Sequence, residues 1–386
     1  MSRCSRRRVP AVLLASREIR RAPVRFGLLA GAIGLLIFLV FFQQTLLTSL
    51  LNSFTGALQN QSATVLVYSS DARKSLEASV VHPDTVAKVA GVPGVSEVGP
   101  LGEATLTFLA KGQQVDVAVL GAEPGKPGQP TKLVEGRLAT APGEGVASSE
   151  DEAKGFGIGD TVTTAAGGSP VTIVGLTEQS QFSVQPTLFV TFETYTTLRK
   201  AANPDATEVL PSAVAVVPSH GVSPKTVAAS INAAVPGVTA LTRSDAVANA
   251  PGVSSVQGSF AIVLALAVAV VALVTGFFFL ILTVQKAAPL TLLRAVGASA
   301  GYLVRGLLQQ VALVLAVALV VAVALLLATV AVARAGLPLT VEPRALVTST
   351  LVVVLLSLLG VAFSIWRILR IEPNHAVSRQ GLGGVE

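Results

Sequence analysis

The chain has 386 residues, of which 51% are hydrophobic and 13% charged, a balance typical of membrane proteins rather than soluble ones. Its single cysteine, Cys4, excludes an intramolecular disulfide framework. The net charge of +6 does not indicate nucleic-acid binding, because the basic residues are distributed in the way that membrane topology requires.

Charged side chains are absent from four long stretches. Each stretch exceeds the roughly 20 apolar residues that are needed to cross a hydrocarbon core. The stretches lie between Arg25 and Asp71, Asp245 and Lys286, Arg305 and Arg334, and Arg344 and Arg367. The sequence therefore predicts a membrane protein with four transmembrane α-helices and a large extracytoplasmic α+β domain inserted between the first and the second.

The charge balance predicts the orientation. The cytoplasmic N-terminal segment, residues 1–25, carries eight arginines and one acid, whereas residues 56–257 carry 12 basic and 18 acidic residues. Since cytoplasmic segments retain Lys and Arg, we expect a multi-pass protein of the cytoplasmic membrane with both termini inside. The N-terminal arginines would then contact anionic membrane lipid.

The first predicted span, residues 26–55, changes character along its length. Phe26–Val40 is strongly apolar, and polar residues then interleave with leucines at helical spacing, which predicts one helix that leaves the bilayer as a stalk. A signal peptide is the alternative, but the apolar run is too long and no cleavage site follows promptly. The polar residues form a candidate substrate entrance or partner-helix contact, unless the helix is already in water there; they are Gln43, Gln44, Thr48 and Asn52.

The outer domain, residues 56–250, is predicted to be α+β. Pro83–Val98 and Pro224–Leu241 each read as a short helix, a Pro-Gly breaker and a strand, which indicates a subdomain built from porter-like halves at about 62–120 and 205–245. A β-rich part, about 121–204, is inserted between them. The other predicted strands are Thr64–Tyr68, Val95–Val98, Ala104–Leu109, Val115–Leu120, Thr161–Thr164 and Val171–Val174, the last two joined by a Gly-Gly hairpin. A helix start is predicted at Ser148 or Ser149, with acids in its first turn.

No catalytic or metal site is predicted. Gly155, Gly157 and Gly159 precede a strand and lack the phosphate-loop pattern, so we interpret them as turn residues. A Walker motif is absent, and we therefore expect that this chain does not hydrolyse ATP. The histidines are scattered and show no metal-ligand spacing.

The C-terminal part is predicted to alternate between spans and short loops. Gly297 would end a short helix that starts near Pro289, and Arg294 would offer a directional donor on the inner surface, either to a partner or within an ordinary turn. The predicted segments are the second span 251–285, a cytoplasmic coupling loop 286–304, the third span 305–334, an external loop 335–344, the fourth span 345–367 and a cytoplasmic tail 368–386.

Three segments carry a family resemblance. Gly155–Val162, followed by VTIVGL at 171–176, is similar to the pattern lglkvGDtv…g…ftVvGi; residues 290–308 read LTLLRAVGASAGYLVRGLL, and residues 365–379 read IWRILRIEPNHAVSR. They resemble the outer domain, the short cytoplasmic segment and the closing pattern of MacB/FtsX-like ABC-transporter permeases. Leu14–Arg25 and Gln43–Asn52 are most similar to the DevC and haem-exporter branch.

The resemblance implies a permease subunit that couples a separate ATPase to export or extrusion of a hydrophobic or amphiphilic substrate by mechanotransmission. It implies two ATPase subunits that hold ATP and Mg, no cofactor in this chain, and a homodimer or a heterodimer with a related permease. The residues that match the ATPase-coupling motif are Arg294, Ala295, Val296, Gly297 and Ala298. Charges common in the family are missing at Ala287, Ala288 and Ser299–Gly301, so the contact would depend more on Lys286, Arg294, Arg305 and the N-terminal arginines.

Two other classes of function stay open from the sequence. A mechanotransmitting regulator would use the same machinery to switch an extracellular cell-wall hydrolase and would carry no cargo. A membrane-anchored sensor or binding protein would need no ATPase.

Overall fold

The computed structural model of the protein describes residues 23–285, 300–333 and 339–369. They divide into a helical unit, which runs to Leu47 and resumes at Ser259, and a sheet unit, Thr48–Gly258. The helices in chain order are α1 (Pro23–Gln59), α2 (Pro83–Ala90), α3 (Phe192–Ala202), α4 (Pro224–Ala234), α5 (Arg243–Ala248), α6 (Val253–Gln285), α7 (Ala300–Ala333) and α8 (Pro343–Leu369).

Among these, α1, α6 and α7 are long and apolar enough to cross a membrane. The apolar helix described over Pro343–Leu359 is shorter, so the fourth span stays a prediction. Helix α7 begins at Ala300, so the end of the predicted loop 286–304 is helical. The start of a helix does not fix the membrane boundary, and the third span at 305–334 stays a prediction.

The helical unit is held together by apolar side chains and by one close approach of two helices. Ile33, Ile37 and Val40 of α1 are fully buried in a cluster that includes residues of α6, α7 and α8. A Cβ atom on Gly34 would lie 2.9 Å from the carbonyl oxygen of Ala318 on α7. Small residues permit this kind of backbone approach between membrane helices.

The sheet unit contains a 10-stranded sheet in the order β10-β1-β9-β2-β3-β8-β5-β7-β4, with β6 paired to β2 and β7. Most neighbours are antiparallel, whereas β3 with β8 and β5 with β7 are parallel. The strands are β1 (Val65–Ser69), β2 (Val95–Ala110), β3 (Gln113–Ala122), β4 (Leu133–Gly136), β5 (Glu144–Ser148), β6 (Thr161–Thr164), β7 (Pro170–Thr177), β8 (Thr187–Thr191), β9 (Ala213–Pro218) and β10 (Val238–Thr242).

One prediction about the strands is wrong. Val95–Val98 and Ala104–Leu109, expected as two strands, belong to the single strand β2. Pro100 is tolerated inside it because pairing with β3 begins only at Leu101, while pairing with β9 already includes Pro100. At that position β2 has a neighbour on one side only, and the missing N–H of proline interrupts no ladder.

Strand β1 is covered on both faces, as its continuous apolar run TVLVY suggests. Val65 and Val67 belong to one buried cluster, and Leu66 and Tyr68 to another. Residues of α2 and α4 complete the first cluster. Both helices start with proline. A strand follows each of them, β2 after α2 and β10 after α4, so both segments form the predicted helix and then strand.

The glycine-rich segment forms turns, as predicted. Gly155 and Gly159 have positive φ, and the Asp160 carboxylate accepts a hydrogen bond of 2.9 Å from the Gly157 N–H. The helix start expected at Ser148 or Ser149 is a 3₁₀ helix, Ser149–Lys154. Gly167 and Gly168, both at positive φ, connect β6 and β7 in the predicted Gly-Gly hairpin.

Candidate functional site

The four polar residues of α1 that were predicted to form an entrance are all half-buried: Gln43, Gln44, Thr48 and Asn52. In the helical unit, the Gln43 side chain donates a hydrogen bond of 3.1 Å from Nε2 to the carbonyl oxygen of Phe260 on α6. Four-residue spacing gives Gln44, Thr48 and Asn52 a common helix face, and Gln43 lies on the neighbouring one. A partner-helix contact is therefore present at Gln43, and the substrate entrance stays a prediction.

The predicted coupling residues lie outside the described residues. Arg294, Ala295, Val296, Gly297 and Ala298 belong to segment 286–299, between α6 and α7. Their part in ATPase coupling accordingly stays a prediction from the sequence.

A cavity of about 300 Å³ opens in the sheet unit, where β2 meets α3. Its wall combines two carboxylates, a guanidinium, a phenol and hydroxyl groups with a few apolar side chains. The polar residues that line it are Glu77, Ser79, Glu103, Thr105, Tyr195, Arg199 and Ser212. Such a concave site with a few converging polar groups is typical of small-molecule binding.

Tyr195 forms one wall because two glycines make room for it. Gly102 on β2 and Gly121 on β3 are directly paired, and a Cβ on either would overlap atoms of Tyr195. The Thr191 hydroxyl caps α3 by accepting a hydrogen bond from the Thr194 N–H at 3.2 Å, which fixes the start of the helix that carries Tyr195. The ring is thus held flat against the sheet, and burial raises the pKa of its hydroxyl.

Hydrogen bonds fix the backbone of Glu103. Its N–H donates to the Ser212 Oγ at 3.0 Å, and its carbonyl oxygen accepts from the Tyr195 hydroxyl at 3.0 Å. The same carbonyl accepts from the Ser212 hydroxyl at 3.3 Å. Strand, helix and loop therefore hold Glu103 at a defined position on the cavity wall.

The side chain of Glu103 is buried with one carboxyl oxygen unpaired among the described residues. The residue is only 7% exposed, and its Oε1 has no hydrogen-bond partner among the described residues. The pKa of Glu103 is raised to about 7, mainly by burial and also by the negative charge of Glu77, while the positive charge of Arg199 opposes the shift. The carboxyl group consequently changes its charge near neutral pH, a property that clusters at functional sites.

Two exposed charged residues complete the cavity. Glu77 accepts a hydrogen bond of 2.7 Å from the Ser183 hydroxyl. In the described part of the chain the ion pairs join Arg137 to Glu144 and Lys154 to Asp151, so the Arg199 guanidinium has no ion pair there. It is available to a ligand.

Sequence reasoning missed this cavity. The available signal was weak: an acid within the apolar alternation of Leu101–Leu106, next to a glycine. Glu103 and Arg199 are far apart in the sequence, and only the packing of α3 on β2 and β3 brings them to one cavity.

Two family models match the chain. The model described as "MacB-like periplasmic core domain" matches residues 26–234, and "FtsX-like permease C-terminal" matches residues 261–373. The first alone covers more than half of the chain, and the two together include nearly all the described residues of the helical unit.

Two curated relatives, MT0078 and Rv0072, come from Mycobacterium tuberculosis strains CDC 1551 and H37Rv. Both are called uncharacterized ABC transporter permeases. Each is 32% identical over 178 residues, which is 44% of this chain and 49% of the relative. The chain thus spans about half the length of the curated relatives it matches.

Two solved structures are similar to part of the chain. The periplasmic region of MacB from Actinobacillus actinomycetemcomitans shows 12% identity and a TM-score of 0.36, covering 48% of this chain and 91% of the other. The extracellular domain of YknZ, a noncanonic ABC-type transporter from Gram-positive bacteria, shows 15% identity and a TM-score of 0.33, covering 46% and 99%.

Proposed function

Since the chain belongs to the MacB/FtsX-like permease family, we propose that it is the permease subunit of an ABC transporter. It would couple a separate ATPase to the export or extrusion of a hydrophobic or amphiphilic substrate. The observation that carries the proposal is the order of the two family matches, residues 26–234 followed by 261–373, along one chain. The protein is a membrane protein with an extracytoplasmic domain, and its long helices are apolar.

The proposed topology has four spans, with the sheet unit outside, between the first and the second, and both termini inside. The charge-free stretches and the arginine-rich N-terminal segment support it. The domain limits given above, including the porter-like halves and the inserted β-rich part, belong to this proposal.

The proposed motor is a second chain. Two ATPase subunits would hold ATP and Mg²⁺ and would contact the segment around Arg294 and Gly297 from the cytoplasm. This chain would form a homodimer or a heterodimer with a related permease, because four spans are few to enclose a substrate route and symmetric assembly is the usual remedy. Movement of the outer domains through α1 would then expel the substrate.

The experiment that tests this function is capture of the assembled complex. The full chain, tagged and extracted gently from its native membranes, should bring down an ABC ATPase at one copy for each permease. The double change Arg294→Glu and Gly297→Leu should loosen that complex, and Arg294→Lys, which keeps the charge, serves as the matched control. Capture of the wild-type chain without any ATPase would contradict the proposal.

The entrance on α1 is proposed on narrower grounds. Polar groups at membrane depth need partners, because an unpaired amide in hydrocarbon is costly. Gln43 has one in Phe260. Gln44, Thr48 and Asn52 lie on the adjoining face of the helix and are half-buried, so each keeps some surface that the polar part of an amphiphile could contact.

A further inference from the structure

The cavity between β2 and α3 is lined by charged side chains of both signs, which complement a zwitterion. We propose that it binds a free α-amino acid with an apolar side chain, its ammonium group at Glu103 and Glu77 and its carboxylate at Arg199. The inference goes beyond transport and does not depend on the permease proposal, because it concerns only the sheet unit.

The ammonium end of the site is the better defined. Glu103 lines the cavity, and its Oε1 has no hydrogen-bond partner among the described residues, so its carboxyl group has acceptor capacity to offer a ligand. An ammonium group brings three donors and a positive charge, and Glu77 lies on the same cavity wall. Hydrogen bonds between charged groups are stronger than those between neutral groups.

The carboxylate end is the Arg199 guanidinium. It lines the cavity from α3 and has no ion pair among the described residues. The planar fork of arginine suits bidentate binding of a carboxylate. The two carboxylates in the cavity would repel a ligand that carries only a negative charge. A ligand that carries only an ammonium group would leave the guanidinium without a partner.

The volume and the lining of the cavity restrict the class of ligand further. A volume of about 300 Å³ lies at the lower limit for small-molecule pockets and suits an amino acid better than a lipid. Val80 and Leu210 contribute apolar wall, which would contact an aliphatic side chain. A divalent cation fits poorly, since no group of three or more His, Cys, Asp or Glu side chains that could hold one occurs among the described residues, and calcium takes six to eight oxygen atoms.

Binding should depend on pH. The charged and titratable groups that face Glu103 are Glu77 from the segment before α2 and Arg199 and Tyr195 from α3. Glu103 must be ionised to pair with an ammonium group, so affinity should fall as the pH drops below the pKa of Glu103, about 7.

The test measures binding of three probes that share one isobutyl side chain. Calorimetry with the full chain in nanodiscs, without ATPase and at about pH 8, uses L-leucine, isoamylamine and 4-methylpentanoate. We expect saturable binding of leucine, weaker binding of the amine and none of the acid. Absence of saturable leucine binding at millimolar concentration would overturn the proposal and would leave the permease function untouched.

Variants locate the site. Glu103→Gln and Arg199→Gln should each weaken leucine binding by about tenfold or more, as expected for loss of a charge-assisted bond. Their matched controls are Glu97→Gln on β2 and Lys200→Gln on α3, both exposed and outside the cavity, which should bind as the wild type does. Arg199 is on the surface, so its variant should fold even if Glu103→Gln does not. Equal affinity in Arg199→Gln and Lys200→Gln would contradict the assignment.

Discussion

At the residue scale, Glu103 shows how a fold can hold an ionisable group in an unfavourable place. The backbone bonds to Ser212 and Tyr195 satisfy its peptide groups and leave the carboxyl group buried. Glu144 is the opposite case: an ion pair with Arg137, together with the Thr140 N–H, holds its pKa at about 2. The two acids therefore give the sheet unit opposite pH responses.

The burial of Glu103 should make the wild type less stable as the pH rises, and we expect Glu103→Gln to abolish this pH dependence. The folded pKa, about 7, lies above the ordinary value of 4.5, so between these values the folded state keeps a proton that the unfolded state has lost. The wild type should then lose stability relative to the variant from about pH 4.5 to about pH 7, on the order of 3 kcal/mol in total, and stay level above.

Urea unfolding of the sheet unit within the full chain, followed by proteolysis, measures this difference. Glu97→Gln is the control, because Glu97 is exposed on the same strand and should follow the wild type at every pH. A constant difference between Glu103→Gln and the wild type over this range would mean that Glu103 does not titrate as its burial implies.

At the element scale, the long helices and the turns could be predicted because each depends on local sequence. The charge-free stretches gave α1, α6 and α7, and Gly167 and Gly168 marked the hairpin of β6 and β7. The continuity of β2 through Pro100 could not be predicted, since it depends on where pairing with β3 begins. The same holds for the cavity, which needs α3 to pack on two distant strands.

The contact of α1 with α7 predicts unequal effects of one substitution at neighbouring positions. Gly34→Val should clash with the Ala318 carbonyl and with Val321, and we expect it to destabilise the helical unit by about 1–3 kcal/mol. A Cβ atom on Gly31, one turn earlier, would meet nothing within 4 Å. Gly31→Val therefore serves as the control, because it makes the same change in intrinsic helix propensity as Gly34→Val. Thermal unfolding of both variants in nanodiscs compares them, and equal midpoints would show that the helices do not approach at Gly34.

The entrance proposal predicts a selective loss of transport coupling. Gln43→Leu combined with Gln44→Leu should leave basal ATP turnover of the complex intact and abolish its stimulation by an amphiphilic dye that stimulates the wild-type complex. Gln43→Leu removes the hydrogen bond to Phe260, whose loss should cost about 1 kcal/mol of stability. Normal stimulation in the double variant would contradict the proposal that these residues form a substrate entrance.

At the scale of the whole molecule, orientation follows from the arginine bias and can be measured by labelling. In a Cys4→Ser background, cysteine at Gln113, exposed in the sheet unit, should react with an impermeant maleimide added to intact cells. Cysteine at Ser378, in the predicted cytoplasmic tail, should react only after the cells are opened. Reaction of both from outside would contradict the proposed topology.

The dependence on a separate motor is the central claim, and ATP turnover in nanodiscs tests it most directly. The chain alone should hydrolyse no ATP, and the ATPase captured with it should show turnover that rises when the permease is present. Arg294→Glu with Gly297→Leu should remove that increase, and Arg294→Lys should keep most of it. The central claim would be contradicted if the ATPase turned over ATP at the same rate with and without this chain.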